Sequence, residues 1–520
     1  MEPRVLAQEP PLARSARSWQ GIGQRVRSEA LRWWPAWLLV AGGLLALGTR
    51  LVDRDLVSYV LDEPQLQDAA ARDAQSGRWA SISVLRGTRG VRYGPAPLWF
   101  YTAAHRVAGP RPEAGILAAG LFLTAAMVVL AWVLARRSQA PPLVLAVALW
   151  LAAASPFAFL WSRQGWDNPL LAGFAALTAA LLGRGGPVRA GTAALAGVLV
   201  GLSLATHLMA VPLAFAVTLV LLGEARGWRP RLVTLGTAAL GAAGVLLPYA
   251  RALLHEAAAP SPIAAVGAGA RLRGVLEALA MPAAQTAGLG LGYFFDGDWS
   301  RFPSERSAGA ALPVVAPLVA AVVGVGMLLG LVLGVRAASP GLRRVARLGL
   351  WTWGLHAAFL GLLALPPEPH YQQPVLWIPV AGWALAVATI WPGRPRAGLA
   401  IAALALGVGL WGLALQRSWM GWIRERGGTR GIHYGLTLGA QRAALAQACT
   451  ASAPGIALEV QVVAFPESFR SLARTEPACR GHGVEVCGAV CPALPPGWSV
   501  ATLRYAGPGA QLAPVQLRSR

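Results

Sequence analysis

No lysine occurs in this 520-residue chain, so all 45 basic residues are arginine, and only 23 residues are acidic. Charge of either sign is scarce, at 13% against about 25% in a soluble globular protein, which excludes a single water-soluble domain. Cysteine is scarcer, with four residues all beyond position 448, so a disulfide-built fold is excluded for most of the chain. The 60 glycines and 39 prolines follow no period, and 55% of residues are hydrophobic, which rules out a collagen-like repeat and disorder. No P-loop, dinucleotide fingerprint or nucleophile triad is present. The net charge of +22 is spread over loops and not massed on one face, so no nucleic acid partner is expected.

What remains is apolar and blocky. Mean hydropathy is +0.51, and the hydrophobic residues fall into long runs almost free of charge. A helix needs about 20 apolar residues to cross a bilayer. Runs near that length lie at 34–49, 114–135, 141–160, 168–183, 190–206, 208–223, 232–250, 311–335, 345–365, 372–391 and 397–416. The expected fold is therefore an all-α polytopic membrane protein of about eleven spans. Trp33, Trp34, Trp377 and Trp391 near span ends fit an interfacial aromatic belt.

Orientation follows from the arginines in short loops. The arm 1–33 holds Arg4, Arg14, Arg17, Arg25, Arg27 and Arg32. With that arm in the cytoplasm, Arg136–Arg137, Arg184, Arg189, the Arg226/Arg229/Arg231 cluster, Arg336–Arg347 and Arg394/Arg396 share its side. The intervening short loops then contain only Arg163. No small-residue cleavage site closes the first apolar block, so it reads as a retained span. Three long segments, 50–113, 251–310 and 417–520, are left outside. Only Glu2, Glu9, Glu29 and Glu224 of the 23 acids stay inside. The chain is accordingly divided into the arm, a membrane domain over 34–416 and an external, periplasmic domain over 417–520. That last segment has period-two apolar stretches at 456–463 and 498–505, bounded by Pro and Gly, which predict strands in a small α+β domain. Cys449, Cys479, Cys487 and Cys491 lie there, as expected of disulfides in an oxidising compartment. A zinc site on Cys479, His482, Cys487 and Cys491 is the rival reading.

The first outer loop is the most informative stretch. From Gln65 to Ala74 the pattern is an amphipathic, Ala-rich helix that Gly77 ends, and Pro95 and Pro97 open a second, aromatic one. Both are expected to lie on the outer membrane surface. Ahead of the first stands Asp62-Glu63-Pro64. An acid followed by another acid and Pro is a good helix start. The competing reading is a carboxylate held at the membrane face to deprotonate a hydroxyl.

The acidic pair after the first span, the short helix ending in Gly77-Arg78-Trp79, and Tyr93-Gly-Pro-Ala-Pro97-Leu98 together resemble the GT-C superfamily of polyprenyl-phosphate-sugar transferases. The likeness is to the branch holding the protein O-mannosyltransferases and the lipid A aminoarabinose transferases. Leu134-Ala-Arg-Arg137, Ser162-Arg163-Gln-Gly-Trp-Asp167-Asn-Pro-Leu170 and Pro369-His370-Tyr371-Gln-Gln-Pro374 follow in the family's order. The resemblance covers roughly 34–416. It implies a GT-C-like membrane fold and inverting transfer of a sugar from a polyprenyl-phosphate donor to a hydroxyl of a lipid, glycan or protein acceptor at the outer face of the inner membrane. It implies Asp62 as base with Glu63 beside it, Asp167 as a second external acid, and Arg163, His370 and Tyr371 at the donor phosphate. Many members carry Lys before Pro-Pro-Leu. Here Pro95 and Ala96 stand in the places of the Lys and the first Pro, and Arg92, Arg89 or Arg86 is left to replace that cation. No cofactor is required, although a divalent metal between Asp62 and the phosphate is compatible with the chemistry.

Other polar residues carry plainer readings. Asp296 and Asp298 form an Asp-x-Asp in the second outer loop, read as a lid or turn before a metal site. His207 reads as a hydrogen-bonded interface histidine and His356 as a satisfied core one. The rival functions are a transporter or flippase and a non-catalytic scaffold. Nearly charge-free spans with acids gathered outside argue for surface chemistry over transport.

Overall fold

A computed structural model describes residues 33–87, 90–256, 267–429, 431, 433–452, 458–462, 465–487, 499–503 and 516–519. The N-terminal arm, Arg89 and Cys491 lie outside the described residues. An apolar helix stands at each of the eleven expected positions. Among the described residues, six helices are long and apolar enough to cross a membrane: Trp33–Leu51, Pro112–Arg136, Trp228–Leu254, Ser307–Val335, Gln373–Ile390 and Pro395–Arg426. The others are shorter or carry charge. Pro141–Ala154, with 14 residues, spans only about 21 Å at 1.5 Å per residue, less than the ~30 Å hydrocarbon core. It compensates by continuing, after a break at Ser155-Pro156, into the short helix Pro156–Trp161, whose start the Ser155 hydroxyl caps by accepting from the Ala158 N–H. Proline cannot donate to the ladder, so the break falls where the sequence puts Pro156. Pro141–Ala154 and Asn168–Gly183 are also buried almost all round by neighbouring helices.

Small residues set the closest crossings. Gly197 faces the Ala238 carbonyl and Gly241 faces that of Ala194, where an added Cβ would lie at 1.9 and 2.2 Å. Ala190–Thr206 and Trp228–Leu254 are thereby packed backbone to backbone, as small residues allow in membrane helices.

The second outer segment departs from expectation. It contains a 20-residue helix, Ala268–Ala287, which packs on Ser307–Val335 and Pro340–Leu362. The Trp353 indole N–H donates to Leu279 O (3.0 Å), and the Gln285 amide donates to Pro369 O (2.9 Å). Arg271, Arg273, Glu277 and Pro282 break up its hydropathy, which is why it does not read as a span.

The last long helix runs on to Arg426, ten residues past the predicted span end, and stops at Gly427 with positive φ. Beyond it lie the helices Leu438–Ala451 and Pro466–Ala473 and four strands: β1 (Leu458–Val462), β2 (Val484–Cys487), β3 (Ser499–Leu503) and β4 (Gln516–Ser519). The sheet order is β2-β1-β3-β4, parallel through β3 and antiparallel at β4. β1 and β3 fall in the expected period-two stretches. A Cys449–Cys479 disulfide ties the first of these helices to the chain ahead of β2, and Cys487 is also disulfide-bonded. Thiols so occupied cannot ligate zinc, which removes the metal reading of this segment.

This C-terminal unit shares a core with the first outer loop. Val57, Tyr59 and Ile116 lie in one buried cluster with Leu445, Val460, Phe469 and Leu503. Ser58 bridges Thr437, the Leu438 N–H donates to Val57 O, Tyr59 hydrogen-bonds Ser471 (2.8 Å), and Asp68 accepts from Ser471 and Arg474 (2.6 and 2.7 Å). At the other end of the bundle, Glu224 pairs with Arg344 (3.0 Å) and Arg347 (3.6 Å). Single cysteines placed at Arg72 and Arg480 should therefore be labelled by a membrane-impermeant reagent from one side and a cysteine at Ala338 only from the other. Equal labelling of all three from one side would contradict the topology.

Candidate active site

Gln67 holds the first piece of the site together. It is buried on the helix Asp62–Ser76, its amide donates to Gly165 O (2.7 Å), and its carbonyl oxygen meets His105 Nε2 (2.9 Å). This joins both surface helices to the loop before Asp167. Gly115 and Gly165 leave the room, since a Cβ at either would fall within 2.1–2.7 Å of the Gln67 side chain.

Asp62 is the first helical residue, not the cap. The cap position is Leu61, at φ 55° and ψ −116°, with no side-chain capping bond. The helix-cap reading therefore fails, and a non-glycine residue at positive φ just before Asp62 costs on the order of 1–3 kcal/mol, a kind of strain that gathers at functional sites. Among the described residues the half-buried Asp62 carboxylate has no hydrogen bond or ion pair, and burial raises its pKa. Its neighbour Glu63 points elsewhere, because successive helical side chains are about 100° apart. Glu63 is buried toward Tyr59, Tyr101 and Tyr434, and burial, with the Asp62 charge adding to it, pushes its carboxyl well above the usual range. Sequence reasoning pairs the two acids in one role; the structure sends them to different sides.

A second acid that feels the Asp62 charge is Asp167, from the turn ahead of Asn168–Gly183. It is 2% exposed, its Oδ2 has no hydrogen-bond partner, and burial, reinforced by the Asp62 charge, lifts its pKa to about 8. Two carboxyls so coupled cannot both ionise cheaply. Near neutral pH Asp167 keeps its proton.

A wall of rings surrounds the pair. Tyr93 interacts with both Asp167 and Asp62 and lies 4.5 Å, centroid to centroid, from His207. Gly94 makes this approach feasible, since a Cβ there would stand 2.4 Å from Ala205 O. The wall continues through Tyr371 to His370 (4.0 Å), which stacks on Trp166 (6.1 Å) and on Tyr293 (5.7 Å), and Tyr293 stacks on His433 (4.2 Å). The Tyr293 hydroxyl donates to Glu368 (3.2 Å) and lies 2.9 Å from His370 Nδ1. His207 accepts the Met209 N–H at Nδ1 (3.0 Å), consistent with a hydrogen-bonded interface residue. His356, read as a core histidine, is buried beside Gln372 and the Tyr371 backbone. Tyr93, Trp166 and Tyr293 were not among the residues anticipated for the site. Tyr93 and Trp166 stand inside two of the quoted motifs without a role of their own there, and Tyr293 stands three residues ahead of Asp296.

The cations are placed differently from expectation. Burial, and then the neighbouring His207 and His433, push His370 down to about 3, so it is neutral and acts as a hydrogen-bonding group. Arg163 is buried, and its guanidinium donates to the carbonyls of Arg50, Val52 and Asp53, with Phe159 under it. It clamps the turn after the first span and is not directed at the carboxylate pair. Arg92 remains half exposed. Its Nε lies 2.7 Å from Glu256, whose carboxylate Arg86 shares at 2.8 Å. Two cations on one anion leave that cluster net positive, and Arg92 directly precedes Tyr93. Asp298 is buried in the helical turn Asp296–Arg301, where Trp299 stacks on Phe295 and Phe302; the Asp296 side chain lies outside the described residues. Among the described residues no group of three or more His, Cys, Asp or Glu side chains is arranged to hold a metal ion.

No protein-family model and no curated protein matches the chain. Two crystal structures of ArnT from Cupriavidus metallidurans align with it. The form bound to undecaprenyl phosphate is 15% identical, with 87% of this chain and 85% of that chain covered and a TM-score of 0.49. The apo form is 16% identical, with 85% of each chain covered and a TM-score of 0.42.

Two outcomes follow from the geometry. Replacing Arg163 with Gln leaves buried carbonyls short of a donor, each worth about 1–3 kcal/mol. The variant should lose thermal stability and folded yield while any activity per folded molecule persists; a selective loss of activity in a fully stable protein would reverse this assignment. Asp167 gives a pH test. An unfolded Asp ionises near 3.9, whereas the folded one holds its proton to about 8. The folded state therefore binds more protons across that window, and stability should fall as pH rises from about 4 to about 8. Asp167→Asn should flatten the decline of the thermal midpoint; an unchanged slope would show that Asp167 does not hold the proton.

Proposed function

We propose that this chain is an integral membrane glycosyltransferase that moves a sugar from a polyprenyl-phosphate donor to an acceptor hydroxyl at the outer face of the membrane, with inversion. The observation that carries this reading is the Asp62–Asp167 pair. A half-buried carboxyl whose charge is felt by a second, buried one that holds its proton to about 8 is the pattern by which sites divide acid and base roles. Asp62 takes the acceptor proton as the hydroxyl oxygen bonds to the anomeric carbon. The bond from that carbon to the phosphate oxygen breaks with its electron pair, and the polyprenyl phosphate leaves as an anion. A transition state of oxocarbenium character suits this displacement.

The surroundings support each part of the step. Asp167, with its proton, is a donor for a sugar oxygen and keeps a second negative charge away from the departing phosphate. Tyr371, His370, Trp166 and Tyr293 offer flat faces and neutral hydrogen-bonding groups suited to a pyranose ring. The net-positive Arg86/Arg92/Glu256 cluster is the cation source bordering the pair, and Arg92 is the phosphate contact in this reading. An apolar cleft of about 490 Å³, lined by Trp79, Ala80, Ser81 and Trp99 of the first outer loop and by Pro248 of Trp228–Leu254, suits a lipid chain. The sequence resemblance to polyprenyl-phosphate-sugar transferases points the same way.

The test is Asp62→Asn, which keeps shape and removes basicity. With a polyprenyl-phosphate-linked sugar as donor, turnover should fall about 10²-fold or more while KM for the donor changes little. Full turnover in Asp62→Asn, with or without a lower thermal midpoint, would refute the base assignment.

A further inference from the structure

At the end of the bundle remote from the carboxylate pair, three interhelical loops converge on a cleft of about 760 Å³. Arg137 comes from the loop after Pro112–Arg136, Arg336 from the loop after Ser307–Val335, and Arg394 from the loop ahead of Pro395–Arg426. All three are exposed, and among the described residues none has an ion pair or side-chain hydrogen bond. Glu224, the acid at this end, is occupied by Arg344 and Arg347. Three helices end at this cleft, after Arg136, Val335 and Ile390, and three begin there, at Pro141, Pro340 and Pro395, so the helix dipoles roughly cancel and leave the arginine charge uncompensated.

The cleft is shaped as well as charged. Leu329, Leu333, Leu342 and Ile390 form apolar walls below the arginines. Arg343 fixes one rim by donating to the carbonyls of Ala337 and Ala338 (2.8 and 3.1 Å). The walls belong in part to Ser307–Val335 and Gln373–Ile390, both long and apolar enough to cross the membrane, so the rim lies where lipid headgroups lie. Free phosphate would use the arginines and leave the apolar walls uncovered. A headgroup phosphate with attached acyl chains uses both.

We propose that this cleft binds an anionic phospholipid, its phosphate held among Arg137, Arg336 and Arg394 and its chains against Leu329 and Leu333. The full-length protein in neutral detergent, titrated with phosphatidylglycerol and read by native mass spectrometry, should retain the lipid saturably. Phosphatidylcholine at equal concentration should bind much more weakly. Changing Arg137, Arg336 and Arg394 together to Gln should weaken phosphatidylglycerol retention at least about tenfold. The matching triple change of Arg226, Arg229 and Arg231 should leave it nearly intact. Single Arg336→Gln and Arg394→Gln variants, each expected to lose part of the affinity, keep the test decisive if the triple variant does not fold. Equal binding of the two lipids, equal losses in both triple variants, unchanged affinity in the singles, or full displacement by millimolar inorganic phosphate would each overturn the proposal. None of these readouts depends on sugar transfer.

Discussion

The site hangs on one buried amide. Gln67 reaches from the Asp62 helix to the carbonyl of Gly165 and to His105, and among the described residues no other side-chain hydrogen bond ties that helix to the loop carrying Asp167. An unmade buried hydrogen bond is far more costly than a made one is stabilising. The amide therefore sets the approach of two segments about 100 residues apart. The segments carrying Asp62 and Asp167 are held together because Gln67 is satisfied on both sides, and the glycines at 115 and 165 are the space this requires.

Around that link the fold tolerates polar groups that burial penalises. Asp167 and Glu63 are buried acids without a counter-ion, and Leu61 holds a strained backbone. Each lowers stability, and their concentration within one region is what separates a working site from a helix terminus. Arg163 shows the opposite use of charge. Its guanidinium donates to three backbone carbonyls and stiffens the turn from which the Asp62 segment departs. Its geometry fixes the backbone of that turn.

The C-terminal unit belongs to the same assembly. Its helix and sheet share a core with Val57, Tyr59 and Ile116, and Ser471 and Arg474 hold Asp68 on the Asp62 helix. The segment beyond Arg426 thus braces the outer loop from above while Gln67 holds it from the side. A boundary drawn from hydropathy at residue 417 separates what packing joins.

Local information was sufficient for much of this. Apolar runs placed the eleven helices, Gly77 ended the Asp62 helix, and period-two alternation located β1 and β3, because burial and backbone propensity act over a few neighbouring residues. Ala268–Ala287 escaped because its two arginines, a glutamate and a proline dilute the same signal. Asp62 and Asp167 were legible as candidates by motif, but not the proton held by Asp167, which depends on how deeply it is buried and on the Asp62 charge. His370 and Arg163 looked like phosphate cations because residue type is local. Only the tertiary structure decided that one is neutral and the other committed to backbone carbonyls, since desolvation and hydrogen-bond partners are properties of the packed neighbourhood, not of the chain.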